Sequence, residues 1–118
     1  MQRLVAQYAD IWNGWLAYGV SWPEAFTPER DLIDEACRKF ARDTTTLEHT
    51  AGLRVLMPGS QYMPPEHERP LQGSTEVMAE ALQRFADEGV THLQLAFSPG
   101  TVESVREFGK TLRALRDR

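Results

Sequence analysis

Gly73-Ser74-Thr75-Glu76-Val77, then Gly89-Val90-Thr91-His92-Leu93-Gln94-Leu95-Ala96-Phe97, and then Thr101 are the residues that decide how this chain folds. The first group opens a helix that stops at Gly89. Val90 to Phe97 follows as a strand, and Thr101 caps a helix that runs to the last residue. Helix, strand and helix in succession form the repeating element of parallel α/β folds.

The same alternation extends back toward the first residue. Residues 1–9 read as the tail of a helix with Leu4, Val5 and Tyr8 on one side. Asp10-Ile11-Trp12-Asn13 is a short extended segment ended by Gly14, and residues 15–26 form an aromatic-rich loop. Thr27-Pro28-Glu29 predicts a helix start: a capping hydroxyl, proline at the first helical position and an acid in the first turn. Leu32, Ile33, Ala36, Cys37 and Phe40 give that helix one apolar face. Leu53 to Met57 is the next strand, and residues 60–72 form a long proline-rich loop. Val77, Met78, Ala81, Leu82 and Phe85 make the stripe of the following helix, and Val102, Val105, Phe108, Leu112 and Leu115 that of the last. The expected order is α-β-α-β-α-β-α, one domain over residues 1–118, with parallel strands and right-handed crossovers.

Composition narrows the function classes. The net charge of -4 gives no case for nucleic acid or an acidic membrane surface. The single cysteine, Cys37, excludes an intramolecular disulfide and a multi-cysteine metal site within one chain. No apolar run approaches the roughly 20 residues of a membrane span, and the beginning of the chain lacks a signal-peptide core, so a cytoplasmic setting is expected.

Three segments resemble a known family. Ala6-Gln7-Tyr8-Ala9-Asp10-Ile11-Trp12-Asn13 is similar to the alanine-x-tyrosine-alanine-aspartate-x-tryptophan-asparagine segment of bacterial-luciferase-like flavin monooxygenases. Ala41-Arg42-Asp43 before Thr44 resembles that family's glycine-arginine-aspartate-proline helix end. Residues 73–95 resemble its last helix-strand pair. Ala41 stands where glycine is usual, and Thr44 and Thr75 stand where proline is usual. The resemblance implies a partial (β/α)8 TIM barrel, about its last three β/α units, in a family that binds FMN or a deazaflavin coenzyme and oxidises a small organic substrate. The early histidine, the glycine-rich segment and the proline-isoleucine-x-x-glycine-glycine strand, which in the family make most of the flavin site, have no counterpart in these 118 residues. The expectation is therefore the C-terminal portion of such an enzyme, inactive alone, or a non-catalytic oligomeric module derived from the family.

In a β/α barrel the reactive groups sit at the C-terminal ends of strands. That rule selects Trp12, Asn13, Ser98 and Gly100 as candidates for a cofactor or substrate pocket. Asn13 before Gly14 is also an ordinary turn residue, and Trp12 with Trp15 serves a core or a subunit contact as readily as a pocket wall. Alternation puts His92, Gln94 and Ala96 on one face of their strand and Leu93, Leu95 and Phe97 on the other; His92 reads as a hydrogen-bonded structural histidine. Glu66-His67-Glu68 lacks the helical spacing of zinc motifs, and His49 after Glu48 gives no stronger signal, so no metal site is expected. Ser60 and Ser98 lack a nucleophile context. The cations from Arg106 to Arg118 suit a helix C-terminus.

Three parallel strands cannot close a barrel. Both edges and an apolar inner face are then expected to be open to water, which predicts self-association or a partner chain supplying the missing strands. Trp15 and Trp22 of the aromatic loop are candidates for that contact.

Overall fold

A computed structural model describes residues 1–15 and 19–118; Leu16, Ala17, Tyr18 and the side chain of Trp15 lie outside the described residues. Among the described residues the elements are α1 (Gln2–Tyr8), β1 (Ile11–Trp15), α2 (Pro23–Lys39), a 3-10 turn (Thr44–Thr46), β2 (Glu48–Leu56), α3 (Thr75–Asp87), β3 (Val90–Ser98) and α4 (Val102–Arg116). The strands form one parallel sheet in the order β1-β2-β3. The alternation read from the sequence is therefore the alternation observed.

Three boundaries differ, and burial accounts for two of them. The helix expected to start at Thr27 begins a turn earlier, with Trp22 as its N-cap residue and Pro23 in its first turn, and Pro28 lies inside it. Burial accounts for the extension. Phe26 is fully buried between Trp12 and Phe85, and the Trp22 indole N–H donates to the Pro70 carbonyl at 3.0 Å. These contacts outweigh the one helical hydrogen bond that Pro28 cannot make. Strand β2 begins at Glu48 rather than Leu53, because it is the central strand and its Thr50, Ala51 and Gly52 are buried by neighbours on both sides. Gly14 lies within β1 rather than ending it.

All four helices cover one face of the sheet. Trp12, Ala51, Leu53, Val55, Leu93, Leu95 and Phe97 point into that layer against Phe26, Met78, Leu82, Phe85 and Phe108. A second cluster of Ala6, Ile33, Ala36, Cys37 and Leu47 seals the N-terminal end, and Trp12 touches both clusters. The helix stripes are only partly used. Leu4 and Tyr8 of α1, Leu32 of α2, Val77 of α3, and Val102, Val105 and Leu112 of α4 are all exposed. In α4 the buried face is Ser104, Phe108 and Thr111, so the expected single stripe splits into a packed face and a bare strip beside it.

The Ala41-Arg42-Asp43 segment is a structural clasp. The Arg42 and Ala41 backbone N–H groups donate to the Cys37 and Arg38 carbonyls, which closes α2 with the paired bonds of a Schellman motif. Ala41 takes φ +54°, the left-handed conformation in which glycine is favoured. The Arg42 guanidinium then donates to the Val5, Ala6 and Thr46 carbonyls, and Asp43 accepts from the Thr45 N–H at 2.9 Å.

Among the described residues the opposite face of the sheet carries no helix. It presents Ile11, Asn13, Thr50, Gly52, Arg54, His92, Gln94 and Ala96, so the expected apolar inner face is in fact largely polar. The molecule is a slab of 47 × 34 × 21 Å with a radius of gyration of 15.4 Å, against about 13.5 Å for a compact chain of this length. Its accessible surface of 7411 Å² exceeds by about 900 Å² the roughly 6,500 Å² of a compact monomer of this mass.

Candidate functional site at the C-terminal rim

Residues 58–72 leave β2 and fold back over the C-terminal end of the sheet. Leu71 bridges to Val55, its N–H donating to the Arg54 carbonyl while its carbonyl accepts from the Leu56 N–H. Leu71 thereby continues the ladder on the side where β1 has stopped. Arg69 bridges in the same way to Val20, and the Ser21 hydroxyl accepts from the Arg54 backbone N–H at 2.9 Å. The long loop is thus tied to the sheet by backbone hydrogen bonds.

Arg54 is the centre of the rim. It projects from the bare face of β2, opposite Ala96 of β3 and two residues beyond Gly52. Its Nε lies 3.0 Å from Glu68 Oε1, and its guanidinium sits 4.6 Å above the Tyr62 ring centroid. The Tyr62 hydroxyl donates to Glu68 Oε2 at 2.5 Å, and this bond raises the phenol above its usual pKa. Gly19 makes room for the arrangement. At φ +75° it packs under Glu68, where a Cβ would fall 2.6 Å from Glu68 Cγ. Ser60 completes the rim, its hydroxyl 2.9 Å from that of Ser98.

The residues selected from sequence fall in separate places. Asn13 is on the bare face, where its Oδ1 accepts from the Thr50 hydroxyl at 2.8 Å. Trp12 is on the helix-covered face, edge-on to His49 at 5.4 Å between ring centroids, so Trp12 and Asn13 do not line one pocket. Asn13 is level with Thr50 and His92, whereas Ser98 is level with Leu56. That offset is about 20 Å along the strands, so Asn13 is remote from the Ser98 end of the rim. Gly100 is exposed just beyond β3. His92 is exposed on the bare face rather than packed as a structural histidine. Trp22 is half-buried and its indole N–H donates to the Pro70 carbonyl within the chain.

His49 lies on the covered face near Asp34, its Nε2 4.0 Å from the carboxylate. Burial lowers its pKa, the Arg30 guanidinium adds to that, and Asp34 and a backbone hydrogen bond oppose it. Burial likewise raises the Cys37 thiol, which makes it a packing residue rather than a nucleophile. In the Glu66-His67-Glu68 run, Glu68 is committed to Arg54 and Tyr62.

Sequence reasoning missed Arg54 and Tyr62. The signal for Arg54 was present: a cation inside Leu53-Arg54-Val55-Leu56 points to the face opposite its apolar neighbours. Tyr62 carried no such signal, because its position depends on how the loop folds back.

No protein-family model matches the chain, and no curated protein matches it by sequence. Its structure is similar to that of an F420-dependent secondary alcohol dehydrogenase solved in complex with an F420-acetone adduct. The match covers 98% of this chain and 46% of the dehydrogenase, at 17% identity and a TM-score of 0.66. The chain spans less than half the length of that enzyme. At this identity the likeness bears on the fold alone: a mixed α/β arrangement with a three-stranded parallel sheet and, among the described residues, four helices, consistent with part of a β/α barrel.

Proposed function

We propose that this chain forms the C-terminal portion of a luciferase-like oxidoreductase barrel that uses a deazaflavin or FMN. The observation that carries the reading is the superposition of nearly the whole chain on part of an F420-dependent dehydrogenase. The Tyr8-Ala9-Asp10 and Gly89-Val90-Thr91-His92-Leu93-Gln94-Leu95 segments independently pointed to the same family. The bare face fits one side of a planar coenzyme: Ala96 is exposed and raises only a methyl group above the sheet, and Arg54 and Gln94 flank it with polar groups. When bound, such a coenzyme supplies the redox chemistry. This chain's part is to wall one side of the site, and further strands must wall the other.

The test is fluorescence titration of FMN and of a deazaflavin coenzyme with the chain alone, and with it joined to or mixed with strands completing the barrel. Saturable binding in the completed barrel supports the proposal. A closed, folded barrel that binds neither coenzyme overturns it.

The bare strip of Val102, Val105 and Leu112 favours a second reading, an oligomeric module without catalysis. Under that reading a Val105→Lys, Leu112→Lys double variant lowers the sedimentation mass without lowering thermal stability. Wild type sedimenting as a monomer at high micromolar concentration removes this alternative.

A further inference from the structure

We infer that Arg54 is an anion-binding fork for a small ligand bearing a carboxylate or a phosphate monoester. This goes beyond the coenzyme reading and stands on the rim geometry alone. A guanidinium offers its donors in a rigid plane with distinct edges. Glu68 meets Arg54 through Nε, the inner nitrogen, while the Arg54 side chain keeps 43% of its surface exposed. The outer edge, Nη1 and Nη2, is then the edge left to pair two-to-two with the oxygens of a carboxylate or phosphate.

The surroundings keep that edge in place and accessible. Tyr62 lies against one face of the guanidinium at 4.6 Å and limits its rotation. Glu68 is itself pinned by the Tyr62 hydroxyl and seated on Gly19, so its carboxylate orients Arg54 from a fixed position. Beside Arg54, Ala96 of β3 is exposed and raises only a methyl group, which leaves that flank open to a ligand. Toward the rim the Ser60 and Ser98 hydroxyls hydrogen-bond each other at 2.9 Å, which leaves one O–H proton as a further donor beyond Leu56. Glu68 and Tyr62 are positioning residues in this arrangement, and Arg54 is the residue that touches the ligand.

The Glu68 charge sets the affinity. It partly neutralises Arg54, so an incoming anion meets a weakened cation. Removing that charge while keeping an oxygen for Nε strengthens binding.

The experiment titrates the full chain with inorganic phosphate and, separately, with acetate at constant ionic strength. It follows by NMR the backbone amide resonances of Ala96 and Ser98, which every variant retains. Saturable shifts are expected, and the better ligand of the two identifies the phosphate or the carboxylate class. Glu68→Gln should tighten binding about fivefold, the effect of relieving one repulsion near the surface. Arg54→Lys, which keeps the charge and loses the fork, should weaken it by about the same factor or more, and Arg54→Met should abolish it. Circular dichroism checks that the Arg54 variants fold, and Glu68→Gln, which leaves Arg54 in place, keeps the test decisive if they do not. Linear, non-saturating shifts with both anions, Arg54→Met titrating like wild type, or Glu68→Gln binding no tighter would each overturn the proposal. Such a failure leaves the coenzyme reading untouched, because coenzyme titration tests that separately.

Discussion

Phe26→Ala and Pro28→Ala together decide where α2 begins, and the two candidate starting points require opposite outcomes. With the observed start at Pro23, Phe26 sits in the first turns, fully buried, its ring 5.7 Å from that of Trp12 and 6.1 Å from that of Phe85. Truncating such a ring costs about 3–5 kcal/mol through lost transfer energy and the cavity left behind. In a domain of this size, with total stability of about 5–15 kcal/mol, that is a large fraction. Pro28 is then an exposed interior residue of the helix. Alanine there restores an N–H able to reach the Glu24 carbonyl, and should stabilise by about 1–3 kcal/mol. Had the helix begun at Thr27-Pro28, Phe26 would be a loop residue costing little, and Pro28→Ala would lose a preorganised first position. Urea unfolding followed by far-UV circular dichroism measures both, with equal slopes required for the comparison. A Phe26→Ala cost below about 1 kcal/mol, or a destabilising Pro28→Ala, would refute the packing argument.

Three further outcomes follow from backbone and burial. Ala41→Gly should raise stability by about 1 kcal/mol, since φ +54° strains any residue with a Cβ; a loss in thermal denaturation counts against the Schellman closure. Gly19→Ala should cost about 1–3 kcal/mol, because it combines φ +75° with a clash on a pinned Glu68, and an effect under about 0.5 kcal/mol would show that Glu68 is not held. His49 binds its proton less readily folded than unfolded, so its neutral form carries no penalty above about pH 6.5. Stability should fall as the pH drops below that value, because the unfolded chain takes the proton first. His49→Gln should flatten the profile below about pH 6.5, and an unchanged slope would assign it to other groups.

The sequence was most legible where local chemistry and burial agree. Ser74 and Thr101 cap helices with side chains that accept from the Val77 and Ser104 N–H groups, as their positions before apolar stripes implied. His92 to Phe97 alternates exposed with half-buried because β3 has one covered face and one bare face. Legibility failed where the partner is distant in sequence. Ala51 and Gly52 have weak strand preference and become strand because β1 and β3 enclose them. Which of two apolar flanks of α4 is buried depends on where α3 lies, so Val102 and Val105 read like Phe108 until that neighbour is placed. The rim depended on a loop doubling back across 14 residues, from Arg54 to Glu68, and no local pattern encodes that return.

The position of β3 at the edge of an all-parallel sheet has a consequence for symmetry. A second copy that extended the sheet from β3 in the same strand direction would have to offer its own β1, because β1 forms the other edge. A two-fold axis sets like edges antiparallel, so such a contact cannot be two-fold. Growth through it is head-to-tail, and it either closes into a ring or continues as a filament. The rotation between successive copies, set by the sheet's twist, chooses between those two ends.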